Sequence, residues 1–196
     1  MQCSEPTVGH KRPTPFSARP AVQEQMRQIM AENVLEISTS SHVNLLTIVL
    51  RDRKAPRICL DARKLNRYTL PKAKVPLIQE LLQQFRVSKF ITSIDLSSAL
   101  LQIGLKMEYK KYTFFLFDLQ LYQFTRCPYG FKNSLPALVR ALQLTLRSNT
   151  CDYAPAYVDD IIVYRPTFEL HLKHLNTVLS RLTLAGFTVN AFCLIY

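Results

Sequence analysis

The sequence predicts a mixed α+β fold. Segments with strand-like alternation and segments with helical apolar spacing both occur, but without the regular βαβ order of a doubly wound parallel sheet. Several strand-like segments follow one another across short polar turns, which is typical of hairpins. The chain has 196 residues, of which 48% are hydrophobic, and this is enough for one sizeable domain with its own core.

The N-terminal third is predicted to hold an arm, a helix and a hairpin. Residues 1–19 are polar and rich in proline and are predicted to be extended. Pro20 suits the first turn of a helix. The segments 45–50 and 57–60 are predicted to pair as a hairpin with a basic tip. Apolar residues recur along the helix at helical spacing, at Val22, Met26, Ile29, Met30 and Val34.

The middle of the chain is predicted to alternate between helices and strands. Helices are expected at 77–86 and 133–147, and strands at 90–95, 111–117 and 121–125. The last two strands flank Asp118-Leu119-Gln120, which reads as the turn of a second hairpin.

The C-terminal part is predicted to hold a hairpin over 155–164, a helix and a short strand over 187–189. Thr167 is the expected N-cap of the helix, Glu169 complements its dipole, and Gly186 ends it. The expected packing residues of this helix are Phe168, Leu172, Leu175, Val178, Leu179 and Leu182.

Charge and cysteine usage limit the function classes. The formal net charge of +11 indicates a polyanionic partner, either nucleic acid or an acidic membrane surface, although a solvated basic surface is an equal alternative. No apolar run approaches the ~18 residues of a membrane span. The five cysteines are scattered without a C-x-x-C pair, and the N-terminus does not resemble a secretory signal. We therefore expect a reduced, intracellular protein that is not secreted and does not enter a membrane.

Two adjacent carboxylates, Asp159 and Asp160, stand between apolar β-branched runs in AYVDDIIVY. Aspartate is common in turns, so this pair alone is weak evidence for a site. A third carboxylate, Asp95, ends another apolar strand, and the three can converge if both strands lie in one sheet. Three carboxylates suit two Mg²⁺ ions, which prefer oxygen ligands. Strand alternation predicts that the two are unequal: if Asp159 points toward Asp95, Asp160 faces partly away, so Asp159 is expected to have the main role in bridging the metal ions.

Six segments of the chain resemble, in order, the fingers and palm of a reverse transcriptase from an LTR retrotransposon of the Ty3/gypsy group. The resemblance covers residues 20–190. KFITSIDLSSALLQI resembles the motif A strand and YVDDIIVY resembles the Y-x-D-D box. The other segments are NVLEIST, RICLDARKLNRYT, CPYGFKNSLPALVRAL and HLKHLNTVLSRLTLAGFTVN.

The resemblance implies an RNA-directed DNA polymerase that uses two-metal-ion catalysis. Its fold would be a right-hand palm, built on an antiparallel sheet with packed helices, plus fingers. Asp95, Asp159 and Asp160 would be the catalytic carboxylates and would bind two Mg²⁺ ions, with Mn²⁺ as a substitute. The backbone carbonyl of Leu96 would be a further metal ligand.

The resemblance also assigns residues to the substrates. Arg51, Arg57, Leu100 and Gly130 would form the nucleotide site, while Tyr129 and Tyr157 would lie against primer and template. The expected partners are an RNA or DNA template with its primer, dNTPs, and the RNase H and integrase domains of a larger Pol polyprotein. The expected location is the cytoplasm or a virus-like particle. Arg63 and Asn66 are expected to be structural, through hydrogen bonds that fix the fingers.

The sequence departs from the family pattern at several positions. Leu100 stands where Tyr or Phe usually blocks the ribose 2′-hydroxyl, so weaker discrimination against ribonucleotides is expected. Leu119 replaces a turn glycine, so the hairpin is expected to avoid a primed turn, which needs φ > 0. The lysine of the usual N-x-x-K-C segment is missing from NAFCLIY. Residues 191–196 are expected to be a divergent tail, and no thumb is expected.

Two other functions stay open at this point. One is a catalytically inactive retroelement remnant that only binds nucleic acid. The other is a basic α+β binding module with an accidental Asp pair. His171 and His174 share a helix face, but no third ligand has matching spacing, so no zinc site is predicted.

Overall fold

The structure is a computed structural model that describes residues 16–39, 44–52, 54–70, 88–146, 150 and 153–195. The chain divides into two compact units. Unit 1 comprises Met1–Leu70 and Ile103–Ser134, and unit 2 comprises Pro71–Gln102 and Leu135–Tyr196. The predicted helix over 77–86 and residues 1–15 of the predicted arm lie outside the described residues.

The predicted α+β class is confirmed, because helices accompany strands that pair antiparallel. The described helices are α1 (Arg19–Ala31), α2 (Arg63–Tyr68), α3 (Met107–Lys110), α4 (Ser134–Leu146) and α5 (Phe168–Leu184). The described strands are β1 (Leu35–Ile37), β2 (Leu45–Arg51), β3 (Lys54–Asp61), β4 (Phe90–Leu96), β5 (Phe115–Phe117), β6 (Gln120–Phe124), β7 (Ala156–Tyr157), β8 (Asp160–Arg165) and β9 (Val189–Ile195). Short 3-10 turns occupy Phe16–Ala18 and Ala99–Gln102. Among the described residues, no helix is both long enough and apolar enough to cross a bilayer.

Unit 1 contains a three-stranded sheet in the order β1-β6-β5 and the β2-β3 hairpin. Helix α1 begins one residue before Pro20 and buries Val22, Met26 and Ile29, as its apolar spacing predicts. The helix ends at Ala31, and the chain turns away from it at Asn33, whose φ is +55°. The amides of Asn33 and Val34 donate to the Met30 and Ile29 carbonyls at 3.0 and 2.9 Å, which is the Schellman pattern.

The β5-β6 hairpin contradicts the expectation that its turn avoids the primed form. Phe117 pairs with Gln120, so the loop has two residues, Asp118 and Leu119, with φ of +43° and +65°. Positive φ at both positions is the type I′ signature, which matches the twist of the strands. The Gln23 amide donates to the Asp118 carboxylate at 2.9 Å and helps to hold this turn without a glycine.

Strand β5 is also shorter than predicted. Residues Met107–Lys110 form helix α3, and the Thr113 hydroxyl donates to the Lys110 carbonyl at 2.7 Å. The buried Thr113 hydroxyl accepts from the Phe124 amide at 2.9 Å, so its side chain replaces a strand partner here. The strand therefore begins only at Phe115.

Unit 2 contains a four-stranded antiparallel sheet in the order β7-β8-β4-β9. Its buried core includes Ile94 on β4, Ile161 and Val163 on β8, and Val178 and Leu182 on α5. Helix α5 follows Thr167, which occupies the N-cap position with extended backbone but makes no capping hydrogen bond through its side chain. The chain leaves the helix through Gly186, whose φ is +78°. Residues 191–195, expected as a divergent tail, continue strand β9 beside β4.

Helix α5 packs partly as predicted: Val178 and Leu182 are buried, but near the start of the helix the buried residue differs from those expected. Phe168 and Leu172 are 45% and 48% exposed, whereas His171 is fully buried. The Thr92 hydroxyl on β4 lies 2.7 Å from the Nε2 atom of His171, and this hydrogen bond explains why a polar side chain can occupy the core. His171 is thus a packing residue.

We predict that Leu119→Gly stabilises the protein. The Leu119 side chain is 95% exposed, so its removal loses little packing, and glycine relieves a positive φ that costs other residues about 1–2 kcal/mol. Glycine also adds entropy to the unfolded chain, which offsets part of this gain. We therefore expect the free energy of unfolding to rise by about 1 kcal/mol and Tm to rise by about 2–4 °C. Leu119→Ala, which removes the side chain but keeps the strain, should leave Tm nearly unchanged. Equal Tm values for the two variants would show that the positive φ of Leu119 does not destabilise the protein.

We predict that stability falls as the pH is lowered through about 6.5. Burial lowers the pKa of His171 from its usual value of 6.5, so the unfolded chain takes up a proton that the folded chain resists. His174 acts in the same direction, because burial and the nearby Arg165 lower its pKa. The free energy of unfolding should therefore be highest above pH 6.5 and decrease below it in urea titrations. The pH dependence should be shallower in His171→Asn; an unchanged slope would contradict the assignment.

Candidate catalytic site

The Asp159-Asp160 pair lies on the β7-β8 hairpin of unit 2. Tyr157 pairs with Asp160, so Val158 and Asp159 alone form the turn. Val158 has a φ of +56°, a conformation that is strained for a β-branched residue. Glycine is the residue that usually adopts this conformation at the first position of a type II′ turn. The strained turn places Asp159 outside the strand and Asp160 at the first position of β8.

Asp95, near the end of β4, lies directly opposite Asp160 in the antiparallel register. Side chains at paired positions share one face of the sheet, with Cβ atoms about 4.5–5.5 Å apart. The structure therefore brings together, within one sheet, the strands that carry the three predicted carboxylates.

The register assigns the position opposite Asp95 to Asp160 rather than to Asp159. The prediction for Asp159 assumes that its side chain alternates with its neighbours along a strand. Asp159 is instead the second residue of the turn, where strand alternation does not apply. A leading role for Asp159 in binding metal remains a prediction.

The electrostatics of the three carboxylates are unbalanced. Burial raises the pKa of Asp160, and the neighbouring charges of Asp95 and Asp159 raise it further. In the described part of the chain, no lysine or arginine forms a salt bridge with any of the three. The described residues also contain no group of three histidine, cysteine, aspartate or glutamate side chains already arranged around one metal position. The three carboxylates are thus close enough to affect one another, and no described basic side chain forms a salt bridge with them. They are not already arranged around a metal position.

Leu96 and Leu100 follow Asp95 in the same unit. Leu96 is buried and pairs with Val189 of β9, while Leu100 is half-buried in the 3-10 turn Ala99–Gln102. Tyr157, predicted to lie near the primer, is half-buried at the end of β7.

The predicted nucleotide-binding arginines belong to unit 1 and are both engaged. Arg51 donates through Nε and Nη2 to the Ala55 carbonyl at 3.0 and 2.7 Å, across the tip of the β2-β3 hairpin. The Arg57 guanidinium lies 4.6 Å from the centre of the Tyr129 ring, which is cation–π geometry. Two residues predicted for different substrates, Arg57 and Tyr129, are therefore in contact.

Gly130 lies where a side chain has no room. Its φ is +100°, and a Cβ atom built on it would stand 2.1 Å from the Leu60 carbonyl oxygen. Asn66 donates to the Gly130 carbonyl at 2.8 Å and accepts from the Lys132 amide at 2.9 Å. Arg63 pairs with Asp61 at 2.7 Å. The structural roles expected for Arg63 and Asn66 are thus present.

Sequence reasoning missed Asn190, which contacts a carboxylate, and Gln102, which contacts the residue before β9. The Asn190 amide donates to Asp95 at 3.1 Å, and the Gln102 amide donates to the Thr188 carbonyl at 2.9 Å. The asparagine of the NAFCLIY segment was the available signal for the first of these. The Gln102 contact joins residues that are far apart in the chain and has no local sequence signature.

We predict that Gly130→Ala destabilises the protein by about 2–4 kcal/mol, since it combines a steric overlap with a strained φ. Gly104→Ala is the matched control, because the nearest heavy atom to a Cβ there is Arg126 Nη1 at 4.0 Å. Thermal unfolding of both variants tests this. A similar Tm for the two variants would show that the backbone of residue 130 is farther from the Leu60 carbonyl than the structure places it.

The chain is similar to proteins of known family. Residues 50–192 match the family described as reverse transcriptase (RNA-dependent DNA polymerase). The chain is 29% identical to the retrovirus-related Pol polyprotein from transposon gypsy of Drosophila melanogaster, over 95% of this chain and 19% of that protein. It is 23% identical to the transposon Tf2-3 polyprotein of Schizosaccharomyces pombe, over 91% of this chain and 13% of that protein.

Solved structures give the same result. The foamy viral protease-reverse transcriptase in complex with an RNA/DNA hybrid superposes with a TM-score of 0.85 and 26% identity, over 96% of this chain and 25% of that chain. Its dRH form in complex with double-stranded DNA has the same TM-score and identity, over 95% of this chain and 33% of that chain. The predicted resemblance is confirmed, and the chain spans less than a fifth of the length of the transposon relatives cited here.

Proposed function

Because this chain belongs to the reverse transcriptase (RNA-dependent DNA polymerase) family, we propose that it carries the fingers and palm of a template-directed DNA polymerase. The observation that carries this proposal is the pairing of Asp95 with Asp160, next to a turn that holds Asp159. Nucleotidyl transfer by two metal ions needs carboxylates at such a place.

The three carboxylates suit Mg²⁺, which prefers oxygen ligands and keeps bound water and phosphate oxygens. Asp95, Asp159 and Asp160 would hold the ions together with the Leu96 carbonyl, and Mn²⁺ would substitute. When bound, two such ions would activate the primer 3′-hydroxyl and stabilise the leaving pyrophosphate. The raised pKa of Asp160 supports this, because a cation would relieve the repulsion from Asp95 and Asp159.

The residues of unit 1 would bind the nucleotide. Arg51 and Arg57 offer planar guanidinium groups to the triphosphate. Arg51 would exchange the Ala55 carbonyl for phosphate oxygens, and Arg57 would remain over Tyr129 at the template face. Gly130 would allow close approach of the backbone. In unit 2, Leu100 would contact the ribose and Tyr157 the primer end.

The proposed partners are a primed RNA or DNA template and dNTPs. Two structures similar to this chain hold double-stranded DNA or an RNA/DNA hybrid, and the net charge of +11 favours such a polyanion. The length of the transposon relatives supports a place within a larger Pol polyprotein that supplies RNase H and integrase. We also propose a reduced intracellular location, from the scattered single cysteines of the sequence.

A second candidate function is nucleic-acid binding without catalysis. It is favoured by the missing lysine of NAFCLIY and by carboxylates that are not preassembled around a metal position within the described residues. Such a remnant would bind primer-template in a salt-dependent manner, with log K falling about 0.9 per log unit of salt for each phosphate neutralised.

We predict that the chain extends a DNA primer on an RNA template with Mg²⁺ and that Asp159→Asn or Asp160→Asn lowers the rate by about 100-fold or more, since each change removes metal-binding charge. Asp118→Asn, the same substitution at an exposed turn of unit 1, should leave extension unchanged.

The competing outcome is equally measurable. Salt-sensitive binding of primer-template without extension by the unsubstituted chain would support the remnant. Extension that persists in both Asp159→Asn and Asp160→Asn would disprove the proposed site.

A further inference from the structure

Strand β9 contains an irregularity beside the candidate site. On β4, Ile94 and Leu96 are two residues apart. Their partners on β9, Phe192 and Val189, are three residues apart. Strand β9 therefore has one extra residue at this point, and Asn190 and Ala191 together face the single residue Asp95. Such a bulge locally redirects side chains and is over-represented next to active sites.

The bulge coincides with a specific hydrogen bond. The Nδ2 atom of Asn190 donates to one carboxylate oxygen of Asp95 at 3.1 Å. An ionised carboxylate can only accept, so the amide must present its NH₂ group. Among the described residues, the other Asp95 oxygen has no hydrogen-bond donor.

The start of β9 is held in place independently of Asn190. The Thr188 amide donates to Gln102 Oε1 at 2.9 Å, and the Thr188 carbonyl accepts from the Ser97 amide at 3.1 Å and from Gln102 Nε2 at 2.9 Å. These bonds tie the residue before β9 to the segment that follows β4. Asn190, two residues later, therefore reaches Asp95 from a fixed backbone.

We propose that Asn190 is a positioning residue that orients the Asp95 carboxylate for metal binding, a role that rests on the proposed function of the site. Anchoring one oxygen restricts the rotation of the Asp95 side chain and leaves the other oxygen for a cation. The amide contributes no charge, so it orients Asp95 without competing electrostatically with the metal. Groups that orient metal ligands in this way typically contribute 10–100-fold to affinity.

Mn²⁺ binding to the full chain, followed through the EPR signal of the free ion, tests this proposal. Asn190→Ala should weaken Mn²⁺ binding by about 10-fold. Asn176→Ala, the same change at an exposed position of α5, should bind Mn²⁺ as the unsubstituted chain does.

A double-mutant cycle separates positioning from a general structural effect. In the Asp95→Asn background, Asn190→Ala should weaken Mn²⁺ binding no further, because the carboxylate that it orients is gone. An equal loss in both backgrounds would show that Asn190 merely supports the fold and would overturn the proposal.

The failure of this inference is distinguishable from failure of the proposed function. Unchanged Mn²⁺ affinity in Asn190→Ala, with tight binding by the unsubstituted chain, would remove the positioning role and keep the metal site. Absence of Mn²⁺ binding by the unsubstituted chain would overturn both.

Discussion

The pairing of β4 with β8 is the constraint on which the candidate site depends. Its register sets Asp95 opposite Asp160, although like charges at paired positions destabilise a sheet. The same two strands bury Ile94, Ile161 and Val163, and a slip of β8 by one residue would turn Ile161 and Val163 toward the other face. The apolar core thus fixes the register and imposes the electrostatic repulsion on the carboxylates.

Local sequence patterns predicted the parts of the fold that depend on neighbouring residues. The spacing of Val22, Met26 and Ile29 predicted α1, and the apolar β-branched runs on either side of Asp159-Asp160 predicted the β7-β8 hairpin. The errors arose where a distant partner decides the outcome. His171 is buried because Thr92, 79 positions away, provides a hydrogen bond, and Asn190 reaches Asp95 because β9 contains one extra residue.

Backbone strain shows the same competition between local preference and tertiary structure. Asp118, Leu119 and Val158 all have positive φ, which their side chains disfavour. In each case the strands on both sides of the turn are paired, so the two-residue loop must follow their twist. Sequence reasoning correctly identified the strain of a turn at Leu119 but wrongly concluded that the chain would avoid it. The pairing of Phe117 with Gln120 overrides the local preference.

The net charge of the whole chain and the local charge of the candidate site are opposite in sign. The whole chain carries +11, which favours a polyanionic partner, whereas the three carboxylates place negative charge at the candidate site. A lysine or arginine salt-bridged to Asp95 would stabilise the empty site, but it would have to be displaced by any metal. In the part of the chain that the structure describes, Asp95 instead receives a neutral amide from Asn190. Because a neutral donor leaves the charge of the carboxylate unchanged, this contact is compatible with the proposed binding of a cation.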